Sequence, residues 1–136
     1  MKNIIPYLNF NGKCSEALNY YKECLGGKLE IMPVKGSPVE SQLPEEMRDK
    51  VMHASLTGEN FTICGSDMSS TDDIFGNAYS IMITCESEDE INKYFKYFSE
   101  GSKILCPLRL EFWGDWFAEL VDKFGIRWKF VYGKSN

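Results

Sequence analysis

The sequence predicts an α+β fold in which one strand-helix-three-strand (βαβββ) module occurs twice within a single domain, residues 1–136. Segments with strand and helix periodicity follow the same order in both halves of the chain. Matching residues also recur at a constant separation of 74 positions (90 − 16), which indicates an internal repeat. The matched pairs are Glu16 and Glu90, Tyr20 and Tyr94, Tyr21 and Phe95, Lys22 and Lys96, and Gly27 and Gly101. The first module is assigned to residues 1–67 and the second to residues 78–136.

The first module begins with an apolar strand at residues 4–10 and an amphipathic helix at 13–27. The helix is predicted because its apolar positions recur at steps of three and four residues. These positions are Cys14, Ala17, Leu18, Tyr21, Cys24 and Leu25. Gly26 and Gly27 end the helix, since glycine adopts the left-handed conformation at little cost. Residues 28–34 then alternate as a second strand.

Two further strands complete the first module, at residues 50–57 and 60–66, with Gly58 and Glu59 between them. The preceding stretch, residues 35–49, is polar and contains two prolines. It is too poor in apolar residues to form core and predicts a loop with one helical turn. A similar polar stretch links the two modules.

The second module repeats this order with a strand at residues 78–85, a helix that begins at Ser87 and ends before Gly101, and a strand at 103–108. The helix begins at a predicted capping box, in which Ser87 and Glu90 each satisfy a free backbone N–H.

The chain closes with strands at residues 116–121 and 126–132. If residues 122–125 form a four-residue turn, Val121 pairs with Ile126, and alternation then divides the hairpin into two faces. One face holds Phe117, Glu119, Trp128 and Phe130. The other holds Trp116, Ala118, Leu120, Arg127, Lys129 and Val131.

Charge and cysteine content exclude several classes of function. Fifteen Lys and Arg against twenty Asp and Glu give a net charge of −5, which opposes nucleic-acid binding. No segment is long and apolar enough for a signal peptide or a membrane span. The five widely spaced cysteines form no C-x-x-C motif, so a zinc cluster or disulfide framework is not expected. We therefore expect a cytoplasmic protein with no nucleic-acid or membrane partner.

Five segments carry a resemblance to a known family: "YLNFNG", "SEALNYYKECLGG", "VMHASL", "FWGD" and "DKFGIRW". Together with the doubled module, they make the chain similar to the vicinal oxygen chelate superfamily of glyoxalases, bleomycin resistance proteins and dioxygenases. The finer resemblance is to its PhnB-like branch, often labelled 3-demethylubiquinone methyltransferase-like. The resemblance implies that each sheet curls into a half-barrel, that the open or closed pair surrounds a cavity, and that the protein is a homodimer.

Metal enzymes of this superfamily place His and Glu ligands at strand positions that correspond here to Ile5, Ser80 and Lys129. Isoleucine has no ligand atom, and a lysine ammonium has no lone pair and repels a cation. We therefore expect no metal and no cofactor. The methyltransferase label is not carried over either, because the chain has no glycine-rich turn from strand to helix that would hold a nucleotide-like cofactor.

The resemblance also places Lys129 inward, so the face that holds Arg127 and Lys129 is predicted to line the cavity, with Trp128 packed on a helix. An apolar wall with two cations suits a small anionic or carbonyl-bearing ligand. The predicted ligand-binding residues are Tyr7, Asn9, Ser80, Met82, Trp113, Trp116, Leu120, Arg127 and Lys129. The alternative is that Arg127 and Lys129 are solvated surface charges.

His53 and Tyr7 are the candidate catalytic residues. Histidine is the side chain that ordinarily exchanges protons near neutral pH, and His53 is the only one in the chain. The alternative is that His53 only hydrogen-bonds a loop or a partner subunit, and Asp115 either orients it or caps a turn. No cysteine has an adjacent histidine, which disfavours thiol nucleophiles.

Three functions are compatible with these features. The first is a metal-free protein that binds a small molecule. The second is an enzyme of lyase, isomerase or oxidoreductase type that acts on a small metabolite. The third is an interaction protein whose cavity is vestigial.

Overall fold

The computed structural model describes residues 1–68 and 73–133, in two compact units, Met1–Ile74 and Phe75–Asn136. The first unit contains β1 (Tyr7–Asn9), α1 (Cys14–Leu25), β2 (Lys28–Pro33), 3₁₀ turns at Glu40–Gln42 and Glu45–Met47, β3 (Val51–Thr57) and β4 (Thr62–Ser66). The second contains β5 (Ile81–Thr84), α2 (Glu88–Ser99), β6 (Lys103–Leu110), β7 (Trp116–Val121) and β8 (Arg127–Tyr132). The α+β class and the βαβββ order of both modules are confirmed.

The two sheets have the same strand order, β1-β4-β3-β2 in the first unit and β5-β8-β7-β6 in the second. In each sheet the first strand pairs in parallel with the last, and the other pairings are antiparallel. Both helices are 12 residues long and begin 74 positions apart, at Cys14 and Glu88. The repeat predicted from the sequence is therefore a repeat of structure.

In the first unit, α1 covers one side of the sheet. Its buried side chains, which include Leu18 and Tyr21, pack against the strands, and the rings of Tyr21 and Phe10 lie 6.3 Å apart. Gly65 permits this close approach, since an added Cβ would lie 2.9 Å from Phe10 Cε2 and 3.2 Å from Cys14 Sγ. These contacts bury the side of the sheet that faces α1.

The start of α1 is held by a residue distant in sequence. Asp67, just after β4, accepts hydrogen bonds through Oδ1 from the N–H groups of Gly12 (2.8 Å) and Cys14 (3.0 Å). Its Oδ2 accepts from the N–H of Val51 at 2.9 Å, at the start of β3. Lys13, at the N-cap position, provides no side-chain cap. One carboxylate therefore joins the ends of three elements.

The start of α2 is held locally, as predicted. Ser87 Oγ accepts a hydrogen bond from the Glu90 N–H at 3.0 Å. The return bond of the predicted capping box is displaced by one residue, because Glu90 Oε1 accepts from the N–H of Glu86 at 3.1 Å. The two modules thus begin their helices by different means.

In the second unit, α2 packs against β8 through aromatic rings. The Phe98 ring lies 4.8 Å from that of Trp128 and 5.5 Å from that of Phe130. Phe95 meets Phe130 edge to face at 6.1 Å. The predicted packing of Trp128 on a helix is confirmed.

The turn between β7 and β8 differs from the prediction. The Gly125 N–H donates to the Asp122 carbonyl (2.9 Å), and the Asp122 N–H donates to the Ile126 carbonyl (2.8 Å). Asp122 and Ile126 therefore pair, and residues 123–125 form a three-residue hairpin loop. Gly125 closes this loop in the left-handed conformation, with a φ of 90°. Val121 therefore pairs with Arg127 and not with Ile126.

Within the described residues, no helix combines the length and the apolar character that a membrane span requires.

Candidate functional site

The side of each sheet that faces away from its helix is here called its open face. The open face of the sheet in the first unit is called the first open face, and that of the sheet in the second unit the second open face. Directly paired residues of neighbouring strands lie on the same face, so the strand pairing shows which residues belong to the second open face. Its residues on β5, β7 and β8 are Met82, Thr84, Phe117, Glu119, Val121, Arg127, Lys129 and Val131. The structure thus places Arg127 and Lys129 on the side opposite α2, next to Met82, as the sequence predicts.

Arg127 occupies an unusual environment on this face. Its side chain is only 20% exposed, and its Nη2 lies 3.6 Å from Oε2 of Glu119, whose side chain is 19% exposed. That separation is an ion pair but exceeds a hydrogen bond. The guanidinium forms no hydrogen bond to any described residue, and its Nε is buried without a partner. A largely covered cation therefore retains unused donors.

The one-residue difference in the turn corrects the predicted faces of β7. Trp116 and Leu120 lie on the helix side, and Leu120 is fully buried there, so neither lines the face of Arg127. Phe117 and Glu119, which the predicted register put on the helix side, lie on the second open face. The sequence signal for this register is Gly125, because a glycine three positions after Asp122 is typical of the last residue of a three-residue hairpin loop.

Strand β6 adds residues that alternation does not predict. Two irregularities in its pairing bring Lys103, Cys106 and Arg109, at three-residue intervals, onto the second open face. Arg109 Nε donates to Glu111 Oε1 at 2.8 Å, and this hydrogen bond raises the pKa of Arg109. Arg109 is thus a charged cation that is already paired with Glu111.

Trp113 lies in the loop between β6 and β7 and is exposed. Its ring meets Phe117 edge to face at 6.2 Å and Phe112 at 4.9 Å. Through Phe117, the predicted ligand-binding residue Trp113 borders the second open face. Ser80 lies immediately before β5 and is half-buried.

On the first open face, the structure brings the two predicted catalytic residues together. Tyr7 Oη lies 3.3 Å from His53 Nδ1, and their ring centroids are 5.7 Å apart. Strand β4 separates their strands, and its Cys64 pairs with both Tyr7 and Ser55. Tyr7 is 52% exposed, so the pair is open to solvent.

Two other predicted residues lie near this pair. Asn9 is exposed at the end of β1, two residues after Tyr7 and therefore on the same face. Ile5 precedes β1, outside the strand, and is exposed. Asp115 closes the β6–β7 loop through its main chain, since its carbonyl accepts from the Glu111 N–H at 2.8 Å.

None of the five cysteines, all of which lie among the described residues, forms a disulfide, and three have raised pKa values. Burial, and next the charge of Asp67, raise the pKa of Cys14 to about 12. Burial, and next Glu90, raise the pKa of Cys85 to about 12, and burial raises that of Cys64. These three thiols stay protonated near neutral pH, which makes them poor nucleophiles.

Within residues 1–68 and 73–133, no three His, Cys, Asp or Glu side chains come together in a group that could hold a metal ion.

Comparison with known proteins places this geometry in a family. A family model described as 3-demethylubiquinone-9 3-methyltransferase matches residues 2–131. The crystal structure of protein PA1353 from Pseudomonas aeruginosa is 33% identical, covers 98% of each chain and superposes with a TM-score of 0.87. A putative 3-demethylubiquinone-9 3-methyltransferase, PhnB protein, from Bacillus cereus is 27% identical over 97% of this chain and 100% of its own, with a TM-score of 0.79. Protein YjdN of Escherichia coli strain K12 is 28% identical over 90% of both chains. Glyoxalase-related structures of lower identity share the fold.

Proposed function

Because this chain belongs to the family described as 3-demethylubiquinone-9 3-methyltransferase, the PhnB-like branch of the glyoxalase superfamily, we propose that it binds a small anionic or carbonyl-bearing molecule on the second open face. The family description does not name the ligand, so the proposal depends on the site. One observation carries it: the Arg127 guanidinium is largely covered yet forms no hydrogen bond to a described residue.

An unsatisfied charged donor is costly inside a protein, because it has lost water and gained no acceptor. A ligand carboxylate or carbonyl oxygen would supply the acceptor, and a charged hydrogen bond of this kind is stronger than a neutral one. Lys129, two residues along β8, shares the face and has no ion pair with a described residue. The two cations thus favour an anionic group.

The rest of the face suits an apolar ligand body. Met82, which is 56% exposed, is the direct neighbour of Lys129 across the β5–β8 pair. Phe117 and Val131 form another pair on the same face, with Trp113 at its border. Apolar walls with a few polar groups are the usual composition of small-molecule sites.

We expect Arg127→Met to weaken the binding of small carboxylates by about 10- to 100-fold, the loss typical of a hydrogen bond to a charged group. Calorimetric titration with benzoate and pyruvate would measure it. Arg48→Met is the matched control, because Arg48 also pairs with a glutamate, at 3.5 Å, but lies in the 35–49 loop of the first unit. Equal affinities of wild type and Arg127→Met would contradict the proposal.

We also infer a cytoplasmic homodimer. The family resemblance implies the dimer, and the absence of disulfides among the described cysteines is typical of a reducing compartment. Edge strand β6 supports the dimer, since Ile104, Leu105 and Leu110 are exposed apolar residues along it. Native mass spectrometry of the purified protein would report both the subunit number and any retained small molecule, and a monomer at micromolar concentration would contradict the dimer.

A second candidate function is proton transfer at a carbon next to a carbonyl, and the 3.3 Å contact of Tyr7 with His53 favours it. When Nδ1 of His53 carries the hydrogen, it donates to Tyr7 Oη, and Nε2 is left as a free base. Nε2 would take the proton, and the C–H electron pair would move to form the enolate. This reaction needs no metal ligand from the chain.

For this candidate we expect the protein to exchange the methyl protons of pyruvate for deuterium, followed by NMR in deuterated buffer. His53→Gln should slow the exchange by about 100-fold or more, as loss of a general base does. Tyr7→Phe, which keeps the ring but not the hydroxyl, should give a smaller loss. Exchange at the buffer rate with the wild type would leave binding as the function.

A further inference from the structure

We propose that Glu119 determines which ligand charge the second open face accepts, so that the face selects monoanions over dianions. This inference rests on the proposed function, because it concerns the same cations. It assigns to Glu119 a role in specificity and not in holding the strands together.

Glu119 lies at the centre of the charged part of the face. It pairs directly with Lys129 on β8 and with Cys106 on β6, and its Oε2 lies 3.6 Å from Nη2 of Arg127. Both side chains of the Arg127–Glu119 pair are about four-fifths covered, so solvent and salt screen them little. A ligand bound to Arg127 would therefore experience the Glu119 carboxylate.

A comparison within the same sheet shows that the Arg127–Glu119 pair is incomplete. Arg109 Nε and Glu111 Oε1 meet at 2.8 Å in a charge-assisted hydrogen bond, the geometry of a closed ion pair. Arg127 and Glu119 stay 3.6 Å apart, without a hydrogen bond. Glu119 thus offsets the charge of Arg127 while leaving its N–H donors available to another acceptor.

The charges leave room for one negative charge. Arg127 and Lys129 contribute two positive charges and Glu119 one negative, so the group has one net positive charge. Glu111 already neutralises Arg109, and Lys103 lies beyond Val121 at the end of the sheet, where it is exposed. A carboxylate balances the group, whereas a dianion adds a second negative charge beside Glu119 and is repelled.

The test compares benzoate with phenylphosphonate, which share a phenyl ring, by calorimetric titration above the second ionisation of the phosphonate. We expect wild type to bind benzoate at least about tenfold more tightly than phenylphosphonate. Glu119→Gln, which keeps the size of the side chain, should raise phenylphosphonate affinity by about tenfold or more and abolish the preference. Glu40→Gln is the matched control, because Glu40 is also ion-paired with an arginine but lies in the first unit, and it should leave the ratio unchanged.

A second variant keeps the test decisive if Glu119→Gln folds poorly. Lys129→Gln removes the remaining net positive charge and should widen the preference for benzoate, while weakening both ligands. The inference alone would be overturned by the following result. Benzoate binding still depends on Arg127, but the ratio of benzoate to phenylphosphonate affinity is the same in wild type, Glu119→Gln and Lys129→Gln. Failure of wild type and Glu119→Gln to bind either probe would overturn it together with the proposed function.

Discussion

Replacing Asp122 with alanine is expected to lower the free energy of unfolding by about 3–5 kcal/mol, because three buried N–H donors lose a charged acceptor. Asp122 is buried, and its Oδ1 accepts hydrogen bonds from the N–H groups of Phe124 (2.8 Å) and Ile126 (3.0 Å). Its Oδ2 accepts from Nε1 of Trp128 at 2.8 Å. Alanine leaves these three buried donors without this acceptor. Urea unfolding followed by circular dichroism would measure the loss.

The contact with Trp128 can be separated from the turn itself. In Asp122→Asn, one oxygen can still accept from the turn, but the amide nitrogen then faces the indole N–H, and two donors oppose each other. Trp128→Phe removes that conflict, so the double variant should be more stable than the sum of the single losses predicts. Asp49→Ala, at an exposed loop position, is the control and should change stability little. A loss below about 1 kcal/mol for Asp122→Ala would contradict the role of the carboxylate.

The sequence predicted those parts of the fold whose signals are local. Both helices begin and finish within two residues of their predicted limits. A glycine pair marks the C-terminal end of α1, and Ser87 caps the N-terminal end of α2. The alternation of β8 separated Trp128 from Arg127 and Lys129, which depends on residues only a few positions apart. The family resemblance then assigned Trp128 to the helix side and the two cations to the open face.

The parts that were predicted incorrectly depend on pairing between strands. A single left-handed glycine in the β7–β8 turn shifts the register by one residue, which exchanges the two faces of β7. Glu119 and Phe117 were therefore not predicted on the open face, and Trp116 and Leu120 were wrongly assigned to it. Pairing irregularities in β6 likewise put residues on the open face at three-residue intervals, where a regular strand would put every second residue there.

The contact between Tyr7 and His53 has a similar origin. The two residues are 46 positions apart in the sequence. They meet because β4 pairs with both β1 and β3, which brings the two strands close together on either side of it. The sequence identified both residues by their chemistry, but their separation of 3.3 Å follows from strand order, which no local pattern encodes.

Asp67→Ala is expected to cost about 3 kcal/mol of unfolding free energy and to destabilise the first unit as a whole, because one carboxylate holds three backbone donors in two elements. The N–H groups of Gly12 and Cys14 lose their acceptor at the start of α1, and that of Val51 loses its acceptor at the start of β3. Hydrogen–deuterium exchange should accelerate in both places together.

The matched control is Ser87→Ala, which removes a cap made within α2 itself and should cost about 1 kcal/mol, with faster exchange confined to the first turn of that helix. If Asp67→Ala accelerated exchange only in the first turn of α1, Asp67 would be an ordinary helix cap. Faster exchange in β3 as well is expected because the same carboxylate also binds Val51, across 16 positions of chain.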